Sequence, residues 1–164
     1  MRLINLLLFF TLSGICLLCG CKKEQYSKDL VLPRLMIESR GVDYGGMKGT
    51  TVKLPVSGTS INIQSQPLVN EFDILNVEMV QVDLGVALLV QVSAQASREL
   101  YRSSISNMGG RIVLMVNGNA IGARRIDGAI EDGNYYTFVE VDDEELGKLV
   151  FDIKARLASN IKNK

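Results

Sequence analysis

Hydrophobic and polar positions along the chain change period three times. Leu3 to Cys19 is uncharged and mostly apolar, broken by Asn5, Thr11, Ser13 and Gly14, and polar residues take over from Lys22 to Asp29. From Leu30 onward the apolar positions alternate or gather in short runs, the pattern of β-strands. Val31 to Glu38 predicts a strand with Pro33 at its start or on a sheet edge. Gly41 to Gly49 holds four glycines and reads as a loop. Thr50 to Val56 and Ser60 to Gln64 predict two strands around Ser57-Gly58-Thr59, and Pro67 closes the unit. Leu75, Val77 and Met79 alternate, then Val80 and Val82 take the opposite phase, which predicts a bulge near Met79. Val86 to Val92 is nearly continuous apolar sequence and predicts a central strand.

The period then becomes helical. Ser93 is a cap for a helix from Ala94 to Met108, stopped by Gly109 or Gly110, with Leu100, Tyr101, Ile105 and Met108 on a common face. Arg111 to Val116 predicts a strand, Asn117-Gly118 a type I′ hairpin turn, and Ala120 to Ile126 its return strand. Tyr135 to Val141 makes the last strand. Asp142 or Asp143 caps a second helix whose apolar stripe is Leu146, Leu149, Val150, Ile153, Leu157 and Ile161. The expected class is α+β, a two-layer sandwich of mainly antiparallel sheet with two helices packed on it. There is no internal repeat or linker after Leu30, so residues 30–164 read as a single domain.

Composition narrows the chemistry. The 164 residues include 18 Lys+Arg, 18 Asp+Glu, three Cys, and no His or Trp. Without imidazole there is no Ser-His-Asp or Cys-His relay and no His-ligated metal. Charge balance argues against a nucleic-acid partner. All three cysteines lie at or before position 21, so residues 22–164 offer no disulfide and no thiolate. Catalysis and a bound cofactor are therefore not expected.

The end of the first apolar run carries a specific motif. Leu18-Cys19-Gly20-Cys21 resembles the lipobox of bacterial lipoproteins, with a branched apolar residue three places before an obligatory Cys and a small residue just before it. With Arg2 ahead of the run, residues 1–20 read as an export signal. The resemblance implies cleavage between Gly20 and Cys21, a diacylglycerol on the Cys21 thiol, and the membrane as a partner through that anchor. The alternative is a plain membrane-spanning anchor, against which stand the shortness of the run and the charge that follows it. Lys22 and Lys23 lack the Asp that favours inner-membrane retention in many enteric bacteria. A periplasm-facing position is expected, with the outer membrane favoured over the inner. The polar tether 22–29 spans at most about 28 Å when extended, which keeps the folded part near the bilayer.

From Val92 to Leu157 the order of elements resembles the periplasmic head domain of SecD, a subunit of the SecDF protein-export complex. Leu100, Ser104, Asn107, Met108 and Gly109 fit that family's helix and stop, and Arg111 to Val116 its aliphatic strand. Asn117-Gly118 takes its hairpin, Ala120 to Ile126 its return strand, and Ile130-Glu131-Asp132-Gly133 its turn before the last strand. Two positions depart from the pattern: Arg124 stands where the family has Pro, and Asn117 where it has Asp. No stretch after residue 21 is apolar enough for the membrane spans that SecD carries. The resemblance implies a head-like domain on a lipid anchor, which binds polypeptide or an envelope protein partner.

Candidate chemistry is sparse. Asp142-Asp143-Glu144-Glu145 reads as helix capping. Asp127, Glu131 and Asp132 lack the alternate-oxygen spacing of a calcium loop. Arg124, Arg125 and Tyr136 are the candidate binding residues, although alternation along a strand sends the two arginines to opposite faces and predicts no single basic patch. Tyr135, Tyr136 and Phe138 read as core first and as a peptide groove second. A small-ligand or cell-wall-associated binding module, with its pocket between sheet and helices, is the alternative function.

Overall fold

The computed structural model describes residues 31–39 and 49–162. Gly20, Cys21, the tether and the loop 40–48 lie outside the described residues. The elements are β1 (Pro33–Ile37), β2 (Thr50–Lys53), β3 (Ser60–Ile63), β4 (Ile74–Val82), β5 (Gly85–Val92), α1 (Ala94–Ser106), β6 (Arg111–Val116), β7 (Asn119–Arg125), β8 (Asn134–Thr137) and α2 (Asp143–Lys162). Among the described residues they form three antiparallel sheets, ordered β1-β6-β7, β2-β3 and β4-β5-β8, with two helices. This is the α+β sandwich that the pattern predicts.

Burial explains the patterning. Ile112, Leu114 and Val116 of β6 share one buried cluster with Leu88 and Val90 of β5, Leu100 of α1, and Leu146, Val150, Ile153 and Leu157 of α2. Val113 and Met115 turn the other way and pack on Ile61 and Ile63 of the β2–β3 hairpin. A strand covered on both faces has no polar position to offer, which is why β6 reads as an unbroken apolar run. Each large side chain buried in this way stabilises the fold by roughly 1.5–3 kcal/mol.

Local signals hold where the backbone chemistry is explicit. The Ser93 hydroxyl accepts from the Ala96 N–H at 3.2 Å and donates to Asp73 Oδ1 at 3.1 Å, so the cap also ties α1 to the segment before β4. Asn117 and Gly118 both have positive φ, 51° and 83°, as the type I′ turn between β6 and β7 requires. The Asn117 amide oxygen accepts from Leu32 N–H at 2.8 Å and fixes the point where the chain enters the fold. Asp143, Glu144 and Glu145 occupy the first turn of α2.

Four expectations are corrected. The buried face of α1 is Ala96, Leu100 and Ser104, whereas Tyr101, Ile105 and Met108 are exposed. At about 100° per residue Tyr101 and Ile105 sit some 100–140° round from Leu100, on a separate side of the helix, and Met108 lies beyond the helix end at Ser106. The bulge in β4 falls at Leu75, between Ile74 and Asn76, and the ladder past Met79 is regular. Val80 and Val82 break the alternation because both faces of β4 carry apolar residues. The last strand ends at Thr137, not Val141, because the chain leaves β5 there and Val139 bridges to Gly122 of β7. β2 likewise stops at Lys53, before the turn that holds Pro55, which has no N–H to donate to a ladder.

Candidate functional site

The segment containing β8 belongs to two sheets in succession. Residues 134–137 pair with β5, and Val139 and Glu140 then meet β7, where Glu140 N–H donates to the Ile121 carbonyl at 2.7 Å. The two sheets therefore touch along a seam between β7 and β8 that is closed at one end and open at the other. At the closed end Gly122 lies so near the Phe138 carbonyl and Val139 that a Cβ would collide with both. A glycine inside a strand pattern often marks such an approach. The Glu140 carboxylate braces this end by accepting from the Val56 and Ser57 N–H groups, each at 2.8 Å. Partial burial pushes its carboxyl up, but the donors on Ser57 and Val56 outweigh that and hold it below the usual carboxylate range.

At the open end β7 and β8 diverge around a groove of about 760 Å³, lined by Leu84, Ala87, Ala123, Arg124, Arg125, Tyr136 and Phe138, among others. Arg124 pairs in register with Ile112, and Arg125 with Arg111, so the two side chains do start from opposite faces of β7. Both nevertheless line the groove, because the strand edge itself forms one of its walls. The two arginines thus reach one groove although their side chains leave β7 on opposite faces. Arg124 Nη1 spans the gap and donates to the Tyr136 carbonyl at 3.3 Å. Arg125 Nε is 3.5 Å from Asp127, an exposed pair that contributes little to stability.

Tyr135, next to Tyr136 on β8, turns into the main core cluster, 99% buried from water, and its hydroxyl donates to the Ile112 carbonyl at 2.7 Å. Burial pushes its phenol well above the ordinary tyrosine range. This buried bond ties β8 to β6 on the side away from the groove. The three aromatic residues thus separate: Tyr135 is core, while Tyr136 and Phe138 are 36% and 44% exposed and face the groove. On the helix side a crevice of about 110 Å³ is lined by Ile112, Tyr135 and Ile130.

Backbone direction adds a further property. Ile126 exchanges hydrogen bonds with Gly109 and Gly110 on the β6 side. Alternation along an antiparallel strand then turns the N–H and C=O groups of Ala123 and Arg125 away from β6, toward the groove. On β8 the Gly133 carbonyl bonds back to Val92 of β5, which turns Tyr136 outward by the same rule. The groove has apolar and aromatic side chains, two guanidinium groups, and strand edges on both walls.

Elsewhere the candidate acids are engaged. Asp132 accepts from the backbone and side chain of Asn134, bonds that draw its carboxyl below its ordinary value. Among the described residues no helix is long and apolar enough to cross a membrane.

The molecule is thus an α+β sandwich whose last strand is shared between two sheets, with an open groove at their seam. Neither protein-family models nor curated protein sequences give a match to the chain. Solved structures do. The structure of SecDF, described as a membrane component that enhances protein export, superimposes with a TM-score of 0.57 at 15% identity, over 79% of this chain and 63% of that one. SecDF in a super-membrane-facing form gives 0.57 at 14% identity, over 79% of this chain and 19% of that one. The fold is therefore SecD-like, and the chain spans less than two thirds of either relative.

Proposed function

We propose that this chain is a noncatalytic, lipid-anchored component of the cell envelope, facing the periplasm, whose SecD-like domain holds an extended polypeptide in the groove between β7 and β8. One observation carries the reading: two sheet edges diverge around a groove that offers outward backbone groups, exposed aromatics and two arginines together. An extended segment entering there adds a strand through main-chain hydrogen bonds, while Leu84, Tyr136 and Phe138 receive its apolar side chains. Arg124, freed from the Tyr136 carbonyl, and Arg125 meet its carboxylates. Such recognition is loose in sequence, as suits a protein that meets unfolded chains. The SecDF neighbours, one of them described as enhancing protein export, support a role near protein export.

The small-ligand alternative has less support. The space between sheet and helices is filled by the main core cluster. The 110 Å³ crevice beside Tyr135 is well below the roughly 300–1,000 Å³ of ordinary ligand pockets, and the space of about 490 Å³ beside α1 is walled by Ser97, Arg98, Tyr101, Arg102 and Glu131, mostly exposed polar side chains rather than an apolar lining.

The test is photo-crosslinking of the full-length protein to a carboxymethylated, permanently unfolded polypeptide. Crosslinkers at Leu84 or Phe138 should capture it, and one at Val56, about as exposed as Leu84, should not. Equal capture at all three positions, or none, would overturn the groove assignment. Cys21→Ala should move the protein from the membrane to the soluble fraction, and retention on the membrane would refute the lipid anchor.

A further inference from the structure

Two large apolar side chains stand out at the opposite end of the molecule from the groove. Phe72 is 66% exposed and Leu75 is 60% exposed. Leu75 is the extra residue of the β4 bulge, with no partner in the register to β5. A bulge re-aims the side chain it carries, and here it leaves a leucine in solvent. Both residues lie beside the point where the chain enters the fold. Arg34, the second residue of β1, makes a two-pronged ion pair with Glu71 at 2.8 and 3.0 Å, and Phe72 is the next residue. The Leu35 N–H donates to the Val69 carbonyl at 3.0 Å. Arg34 holds the Glu71 carboxylate through these bonds, and Arg156 of α2 adds its attraction. Arg34 and Glu71 thus satisfy each other at this pole.

We infer that this entry pole, with Phe72 and Leu75 as its anchors, rests on the lipid bilayer. The inference builds on the lipid-anchor reading above. Nine residues lie between Cys21 and Val31, and even fully extended the ten steps from one to the other span no more than about 36 Å. A domain tethered that closely meets the membrane continually, and the pole nearest the tether meets it first. Isolated exposed apolar residues are ordinary on a protein surface. These two coincide with the tether point, and one of them is turned outward by a break in the strand ladder. Aromatic and aliphatic side chains of this kind settle into the headgroup and acyl boundary.

The pose has a consequence for the groove. β4 runs from Ile74 at the entry pole to Val82 at the groove. At about 3.3 Å per residue that strand separates the two by roughly 26 Å. With Phe72 and Leu75 in the lipid boundary, the groove opens toward the periplasm, clear of the headgroups.

The lipid-modified full-length protein, purified from membranes, is reconstituted into vesicles of phosphatidylethanolamine and phosphatidylglycerol. Residues 22–164 contain no cysteine, so single Cys substitutions at Phe72, Leu75, Leu84 and Val56 carry a fluorophore without competing sites. Lipids brominated on their acyl chains should quench the probes at 72 and 75 several-fold more than those at 84 and 56. F72D combined with L75D should abolish quenching of a probe placed at Asn70. Equal quenching at all four positions, in protein that floats with the vesicles, overturns the docking surface and leaves the anchor intact. Protein that fails to float overturns the anchor and the docking together. If the probes at 72 and 75 remain shielded from water in detergent, with an oligomer seen by sedimentation, the surface is a self-association face and the proposal is wrong.

Discussion

At Gly122 the backbone of β7 touches the chain that follows β8, whereas three residues on, at Arg125, the same two segments stand apart around a groove of about 760 Å³. The closed end is made of main chain: a Glu140-to-Ile121 backbone bond, a Gly122–Val139 bridge, and a glycine whose missing Cβ permits the approach. At the open end, among the described residues, the bridge is a side chain: the Arg124 guanidinium, 3.3 Å from the Tyr136 carbonyl. Main-chain contact excludes a third strand, while a side-chain bridge can swing aside. A sheet edge thereby becomes a binding groove by splaying at one end while it remains fastened at the other.

The fastened end is the place to break this contrast most severely. Gly122→Val should force β7 and the Phe138 carbonyl apart and destabilise the fold by about 1–3 kcal/mol, the usual cost of overpacking, measured by chemical denaturation. A midpoint unchanged from that of the parent would mean that the seam is not held as described. Tyr135→Phe removes the buried bond to Ile112 and should cost about 1 kcal/mol. It should also speed hydrogen exchange in β8 while leaving β1 unaffected.

Glu140 permits a test by pH. Its carboxyl is held below the usual range in the folded protein, so its contribution is complete above the unfolded carboxylate pKa and is lost as pH falls through the lower folded value. Glu140→Gln should therefore reduce stability at neutral pH by under about 1 kcal/mol, since the pair is near the surface. It should also flatten the loss of stability on acidification; an acid limb identical to that of the parent would rule out the brace. The smallest effect on stability is expected at the open end. Arg124→Ala should change stability by no more than about 0.5 kcal/mol, as exposed substitutions do. In the same variant, capture of the unfolded polypeptide at Leu84 should change measurably, which would separate a bridge that serves binding from one that serves folding.

Much of the fold was readable along the chain because its signals are local. Ser93 needs only the N–H three residues away to act as a cap, Asn117-Gly118 needs only its own two φ angles, and the stripe of α2 needs only helical spacing. Where two local patterns overlapped, the reading failed. Tyr101 and Ile105 do share a side of α1, but spacing does not say which of two sides faces the core. β4 is apolar on both faces, so its phase change looked like a bulge that lies instead at Leu75.

The site divides in the same way. Arg124, Arg125 and Tyr136 stood out as residues, and alternation along β7 correctly sent the two arginines to opposite faces. That they nonetheless share a groove depends on the divergence of two sheet edges, which residues near either strand in sequence do not set. Gly122 and Glu140 show the limit well, since the partners that give them meaning, Phe138, Val139, Val56 and Ser57, lie at distances along the chain that periodicity does not reach. The sequence by itself determined the element types, the caps and turns, and the absence of imidazole and thiol from residues 22–164, because each of these follows from residue identity or short-range spacing. Only the tertiary structure decided which strand would change sheets and where the seam would open, because those depend on long-range packing of surfaces that are each, taken alone, equally apolar.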